Sequence, residues 1–194
     1  MKKLLLDVDG VILDYTNQVD KYVLDIFGLK NINGNWNLAT RYEISSEFAK
    51  GIMLSFENSI YFQRLPPIEY SVDYLKMLRR EGYSIRCVTK VSQNTNTVNN
   101  RRINLINAFG DIFNDIIHVG ITGSKKEYFT DPDEIFIEDS FSNLLEAKKC
   151  GYNKLIYIPN GINNVSIHEI DEAKIKYTSN WIEIYKTIQN LSNG

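Results

Sequence analysis

The sequence predicts an α/β protein: a three-layer, doubly wound parallel sheet with a small helical cap inserted after its first strand. Three observations predict it. From residue 71 onward, short apolar strands alternate with helical patterns, the rhythm of a parallel sheet covered on both faces. Residues 15–70 break that rhythm and read as helix alone. The strand ends carry acids, a hydroxyl and a lysine, where open parallel sheets place their ligands. At 194 residues the chain suffices for one sizeable domain with a modest insertion. The expected division is a core over 1–14 and 71–194 and a cap over 15–70.

The elements follow in order. Residues 4–8 form a short apolar strand ending in acids and a glycine. From Thr16 or Asn17 to Phe27, apolar residues at Val19, Tyr22, Val23, Ile26 and Phe27 have helical spacing, and Gly28 is the stop. The Asn- and Gly-rich stretch 30–38 reads as a loop. Residues 40–63 look helical, with Pro66 and Pro67 closing the stretch. A helix over 71–81 stops at Gly82, and a strand covers 84–89. A helix over 95–109 stops at Gly110. A strand at 115–119, a helix near 125–129 and a strand at 135–138 come next. The last elements are a helix over 141–150, strands at 154–158 and 174–178, and a helix from Ser179 or Asn180 to Leu191.

Composition excludes several classes. With 43% hydrophobic and 24% charged residues, wholesale disorder is ruled out. A net charge of −2 leaves no basic footprint, which argues against nucleic acid as a partner. No apolar run approaches a membrane span. Lys2, Lys3 and Leu4–Leu6 mimic the start of a signal peptide, but Asp7 and Asp9 interrupt it before an apolar region forms. Cys87 and Cys150 have no framework spacing and read as reduced core thiols. An intracellular, cytoplasmic protein is the simplest reading, with the oligomeric state left open.

The strand ends hold the chemistry. The first closes in Asp7-Val8-Asp9-Gly10-Val11 and the second at Thr89. The third leads to Thr122-Gly123-Ser124-Lys125-Lys126, and the fourth ends in Glu138-Asp139-Ser140. Carboxylates gathered this closely repel and cannot all stay ionised without a cation. Oxygen-only ligands suit Mg²⁺, which joins carboxylates to a phosphate. A carboxylate beside such a cation can attack phosphorus. A lysine would neutralise nucleophile and phosphoryl group, and a hydroxyl would hold phosphate oxygens.

On these residues and their order, the chain resembles the haloacid dehalogenase-like (HAD) phosphohydrolase superfamily over 1–14 and 71–160. The resemblance implies a Rossmann-like fold and Mg²⁺-dependent hydrolysis of a small phosphorylated substrate. It implies Asp7 as nucleophile and metal ligand, and Asp9 as general acid/base with its backbone carbonyl on the metal. Thr89 would hold a phosphoryl oxygen, Lys125 would steady nucleophile and phosphate, and Asp139 would complete the metal site. Glu138 and Asn143 would support it. Lys125 and Lys126 are adjacent; Lys125 is preferred because it opens a Lys-x-x-Tyr-Phe run similar to the family's helix after this lysine. Glu138-Asp139 departs from the family's frequent Asp-Asp or Gly-Asp, and Asn143 stands where an acid is frequent.

Plainer roles compete. Asp7 and Asp9 fit a polar turn, Asp139 a helix N-cap, Thr89 a strand position and Lys125 a solvated lysine. His118 and His168 lack partners at ligand spacing and read as structural. Trp36, Tyr42, Phe48, Phe56, Tyr61 and Phe62 read as the insertion's own core, with one or two available to line a substrate pocket. Arg41 and Arg64, the insertion's only arginines, are candidates to meet a second anionic group.

The Asp-Val-Asp-Gly-Val start, the short cap and the ending Asn180-Trp181-Ile182-Glu183-Ile184 look most like the 5′-nucleotidase (deoxyribonucleotidase) branch. That implies a nucleoside monophosphate as substrate. A sugar phosphate or phosphoglycolate would fit the same residues. A nucleic-acid 3′-phosphatase would share the catalytic set but want a basic channel. A non-catalytic phospholigand-binding protein would be marked by loss of Asp7 or Asp9, and both are present.

Overall fold

The computed structural model describes residues 2–159 and 165–193. Of the expected core, residues 1, 160–164 and 194 lie outside the described residues. The described strands are β1 (Lys3–Leu6), β2 (Ser84–Lys90), β3 (Asp115–Val119), β4 (Ile135–Glu138), β5 (Leu155–Tyr157) and β6 (Lys176–Tyr177). They form one parallel sheet in the order β3-β2-β1-β4-β5-β6. The strand order reverses at β1, so the ends of β1, β2 and β4 adjoin at the switch point where such sheets bind ligands.

The period-two alternation of strands builds both faces. Leu4, Leu6, Ile85, Cys87, Ile135, Ile137 and Ile156 enter one core cluster. Leu5, Val88, Phe136, Leu155 and Tyr157 enter the other. On the first face lie α5 (Ser71–Arg80), α6 (Thr95–Phe109) and α9 (Trp181–Asn193), and α1 (Tyr15–Phe27) sends Val19, Tyr22 and Val23 into the same cluster. On the second lie α7 (Phe141–Lys149) and α8 (Ile167–Glu172). The indole N–H of buried Trp181 donates to the carbonyl of Val11 at 2.8 Å, tying α9 to the turn after β1.

That turn is tightly made. The Val8 carbonyl accepts from the amides of Ile12 and Leu13 at 3.0 and 2.9 Å, and Gly10 adopts φ 80°, where a side chain would be strained. The chain then leaves the sheet and returns beside itself: Asp14 N–H donates to Pro66 O and Ile68 N–H to Ile12 O, both at 2.9 Å.

Between those points lie α1, α2 (Leu38–Arg41), α3 (Ser46–Glu57) and α4 (Ile60–Gln63). The single helical stretch expected over 40–63 is thus three helices. Ser45 and Ser59 explain the restarts, because their side chains accept from the amides of Phe48 and Phe62 as N-caps. The aromatic set does not form a separate core. Tyr42, Phe56 and Phe62 are buried in the same cluster as the first sheet face, whereas Trp36 and Phe48 are 53% and 45% exposed. Trp36 sits in the Asn-rich loop with its ring 6.3 Å from that of Tyr15, and Phe48 meets Phe27 edge-on at the rim of α3.

Other departures are local. The first strand ends at Leu6 rather than residue 8, so both acids lie beyond it. Residues 125–128 make a 3₁₀ turn rather than an α-helix. The helix α8 was not expected; a capping box between Ser166 and Glu169 opens it. Cys87 and Cys150 are free thiols. No helix among the described residues is long and apolar enough to cross a membrane.

Candidate active site

The site begins with Asp7, the first residue past β1. Its amide donates to the Ile137 carbonyl at 2.9 Å, extending the β1–β4 pairing by one residue. Its carboxylate is buried, and Lys125 Nζ lies 2.6 Å from Oδ1. The same Nζ lies 2.7 Å from Glu138 Oε2 at the end of β4. Lys125 is itself buried, held in the 3₁₀ turn that Ser124 caps. Lys126 is exposed and away from this group.

Asp139 follows Glu138, and one carboxylate oxygen each from Asp7, Glu138 and Asp139 lie within 4.8 Å of one another. Glu138 Oε1 also accepts the amide of Ser140 at 3.1 Å. Asp9 lies apart from this trio. Its Oδ2 accepts from Arg101 Nη2 at 2.6 Å.

Asp7, Asp9, Lys125, Glu138, Asp139 and Asn143 line one cavity of about 470 Å³. Thr89 does not line it, while its neighbour Lys90 does. The Thr89 hydroxyl is buried at the end of β2 with no hydrogen-bond partner among the described residues. His118 lies in β3 outside the cavity, its pKa lowered by burial and then by Arg101. Arg41 is buried with Nη2 2.5 Å from Asp20 Oδ2, so its charge is already matched. Arg64 is exposed and lines no cavity described here.

The electrostatics follow from crowding. Five carboxylates (Asp7, Asp9, Glu57, Glu138, Asp139) and two lysines (Lys90, Lys125) line the cavity, so negative charge is in excess. Burial, then the charge of Glu138, pushes the Asp7 carboxyl up to about 7, against the pull of Lys125. Burial, then Asp7 and Glu138, raises Asp139 well above the carboxylate range. Burial also raises Asp9, while Arg101 opposes the shift. For Lys125 burial works against the charge, but Asp7 and Glu138 outweigh it and the pKa rises. Buried carboxylates that hold protons in the absence of counter-charge are a fitting donor set for a hard divalent cation such as Mg²⁺.

The opposite wall comes from the helical segment. From it Tyr15, Trp36, Met53 and Glu57, joined by Ile121 from the loop after β3, line this cavity and also a second, adjoining one of about 810 Å³. The second is lined by Leu38, Ala39, Ala49 and Leu54, with Arg41 and Lys50 among its polar members. The rings of Tyr15 and Trp36 lie 6.3 Å apart at 34°.

Reading the sequence did not single out Glu57 or Arg101. A signal for Arg101 is present. Thr97, Asn100, Arg101 and Asn104 are buried polar residues at helical spacing on α6, a stripe that a helix packed by apolar residues alone would not carry.

No family model matches the sequence, and no curated protein matches it. Solved structures do share the fold. A Thermotoga maritima protein provisionally named a β-phosphoglucomutase has a TM-score of 0.65 at 17% identity, covering 100% of this chain and 99% of that one. A HAD family hydrolase from Deinococcus radiodurans R1, with bound phosphate and sodium, has a TM-score of 0.62 at 14% identity over 99% and 96%. A Lactobacillus delbrueckii subsp. bulgaricus protein provisionally named a phosphoglycolate phosphatase has a TM-score of 0.65 at 14% identity over 96% and 98%. The architecture is therefore the Rossmann-like α/β fold of HAD hydrolases.

Proposed function

We propose that the protein is a Mg²⁺-dependent phosphomonoester hydrolase that works through an aspartyl-phosphate on Asp7. The observation that carries this reading is the bridge from Lys125 Nζ to Asp7 and Glu138, at 2.6 and 2.7 Å, with Asp139 in the same cluster. It is the arrangement a carboxylate nucleophile needs: buried, charge-compensated, and open to a cavity. A structural neighbour provisionally named a phosphoglycolate phosphatase, and a HAD family hydrolase holding phosphate, support the same reaction class.

The steps balance on this chain's residues. An Asp7 oxygen attacks phosphorus, and the bond from phosphorus to the leaving oxygen breaks. Asp9 gives that oxygen its proton, and the alcohol departs. Asp9 then takes a proton from water, whose oxygen attacks the phosphoryl group, releasing phosphate and restoring Asp7. Lys125 offsets the charge of Asp7 and of the phosphoryl group. Thr89 lies outside the cavity lining, so the part expected of its hydroxyl has no support from the cavity geometry. Asp7, Asp139 and the backbone carbonyl of Asp9 would hold Mg²⁺, supported by Glu138 and Asn143. When bound, the ion supplies positive charge that neutralises the carboxylates and the phosphate oxygens.

In this reading residues 15–70 are the cap that closes the cavity and selects the substrate. A nucleoside monophosphate is the favoured substrate. The adjoining pocket has aromatic and aliphatic walls that suit a flat base, and Arg41, a buried cation there, is already neutralised by Asp20. A sugar phosphate or phosphoglycolate is the second reading, favoured by the names of two neighbours.

The test is hydrolysis of p-nitrophenyl phosphate, a panel of nucleoside monophosphates, sugar phosphates and phosphoglycolate. Wild type and Asp7→Asn are compared with Mg²⁺ and with EDTA. Turnover that needs both Mg²⁺ and Asp7 is expected, with Asp7→Asn lowering kcat by about 10³-fold or more. No turnover of any ester by folded, Mg²⁺-supplied protein would overturn the reading.

A further inference from the structure

We propose that Arg101 is the positioning residue for Asp9, fixing its carboxylate where the leaving oxygen must receive a proton; this rests on the phosphatase reading above. Arg101 is fully buried on α6. Its guanidinium lies over the Phe62 ring, 4.5 Å from the centroid, and its Nη2 donates to Asp9 Oδ2 at 2.6 Å. Asp9 Oδ1 has no hydrogen-bond partner among the described residues. The arginine thus engages one oxygen of a carboxylate that lines the cavity, and the other oxygen is buried with no hydrogen bond spent among the described residues.

The mounting is rigid. Asn100 Nδ2 donates to Glu57 O at 3.0 Å, Gln63 Nε2 to Asn100 Oδ1 at 2.9 Å, and Asn104 Nδ2 to Leu65 O at 3.0 Å. The stripe that carries Arg101 is therefore bonded to the segment that ends α3 and passes α4. Helix, ring and carboxylate together leave the planar guanidinium little freedom.

Stability alone does not account for this residue. Burying a guanidinium carries a large desolvation cost, and apolar residues of similar size in such places are neutral or stabilising. Orienting a proton donor does account for it, because small misplacements of a catalytic group cost large factors in rate.

The test uses leaving groups of different acidity. The ratio kcat/KM covers the steps through departure of the alcohol. Nitrophenolate leaves without a proton, and an alkoxide does not. Wild type, Arg101→Gln and Arg101→Lys are assayed with Mg²⁺ on p-nitrophenyl phosphate and on the best alkyl phosphate. For Arg101→Gln, kcat/KM is expected to fall by about 30-fold or more on the alkyl ester and by less than about threefold on the aryl ester. Arg101→Lys is expected in between, and it provides the reading if the Gln variant does not fold. Equal losses on both esters, or none on either, would overturn the proposal. Wild type inactive on both esters would overturn the phosphatase reading instead.

Discussion

The two walls of the cavity are built on opposite physical terms. The sheet-edge wall is charged and buried: Lys125 is bound to Asp7 and Glu138 by short ion pairs, and Asp139 lies in the same cluster. The helical wall is mostly apolar and partly exposed: Trp36, Met53 and Tyr15 face the same space with no charge but that of Glu57. The first wall can tolerate almost no substitution, since Lys125 is the cation that its buried carboxylates Asp7 and Glu138 share. The second can change its side chains while keeping its shape. Chemistry belongs on the first wall and selectivity on the second.

The largest effect expected from breaking that contrast is at Lys125. Lys125→Met leaves Asp7 and Glu138 buried without a counter-charge. The expected loss of stability at pH 8 is about 3 kcal/mol or more, with activity abolished. At pH 5, where the carboxyls take up protons, the loss should shrink. Urea unfolding at the two pH values measures both, and a pH-independent loss would show that charge is not what the lysine supplies.

Next comes the pH dependence of the wild type. Asp7 is raised from its ordinary 3.8 to about 7, by burial first and Glu138 second. Between these values the folded state holds a proton that the unfolded chain has released, so stability falls as pH rises from about 4 to 7. Asp139 is raised for the same causes and adds in the same direction. Unfolding in EDTA should show this slope, Asp7→Asn should reduce it, and Mg²⁺ should flatten it by favouring the ionised carboxylates. An unchanged slope in Asp7→Asn would remove Asp7 as its source.

The helical wall should respond in substrate binding alone. Trp36→Ala is expected to raise KM for a nucleoside monophosphate by about tenfold through lost stacking. Its stability should stay within about 0.5 kcal/mol, because the ring is 53% exposed. An unchanged KM would sharpen the comparison in favour of a smaller, non-aromatic substrate.

The smallest effect is at Lys126, beside Lys125 and exposed. Lys126→Ala should alter neither kcat/KM beyond about twofold nor stability beyond about 0.5 kcal/mol. Assayed against Lys125→Met, it measures what burial alone confers on one of two adjacent lysines.

The sheet-edge wall was legible in the residues because strand and motif are local. An apolar run of three leucines buries itself, its end must face the sheet's ligand edge, and the next residue is Asp7. Glu138-Asp139 follows the same logic at β4. Order along the chain and alternation of strand and helix then yield the parallel sheet. The inner lysine of the adjacent pair was favoured by a run of neighbours, but its 2.6 Å contact to Asp7 depends on a 3₁₀ turn that periodicity read as α-helix.

By itself, the sequence determined the α/β class, the sheet with its helical interruption, and the acids at the strand ends, because each depends on patterns a few residues long. Only the tertiary structure decided that Trp36 faces a cavity while Phe56 and Phe62 share the sheet's core. It alone decided that Glu57 and Arg101 meet the site from helices about fifty and about ninety positions along the chain from Asp9. Those outcomes depend on how each helix is turned about its axis and where the polar caps interrupt it. That rotation is set by packing against distant segments, and no local pattern in the chain carries it.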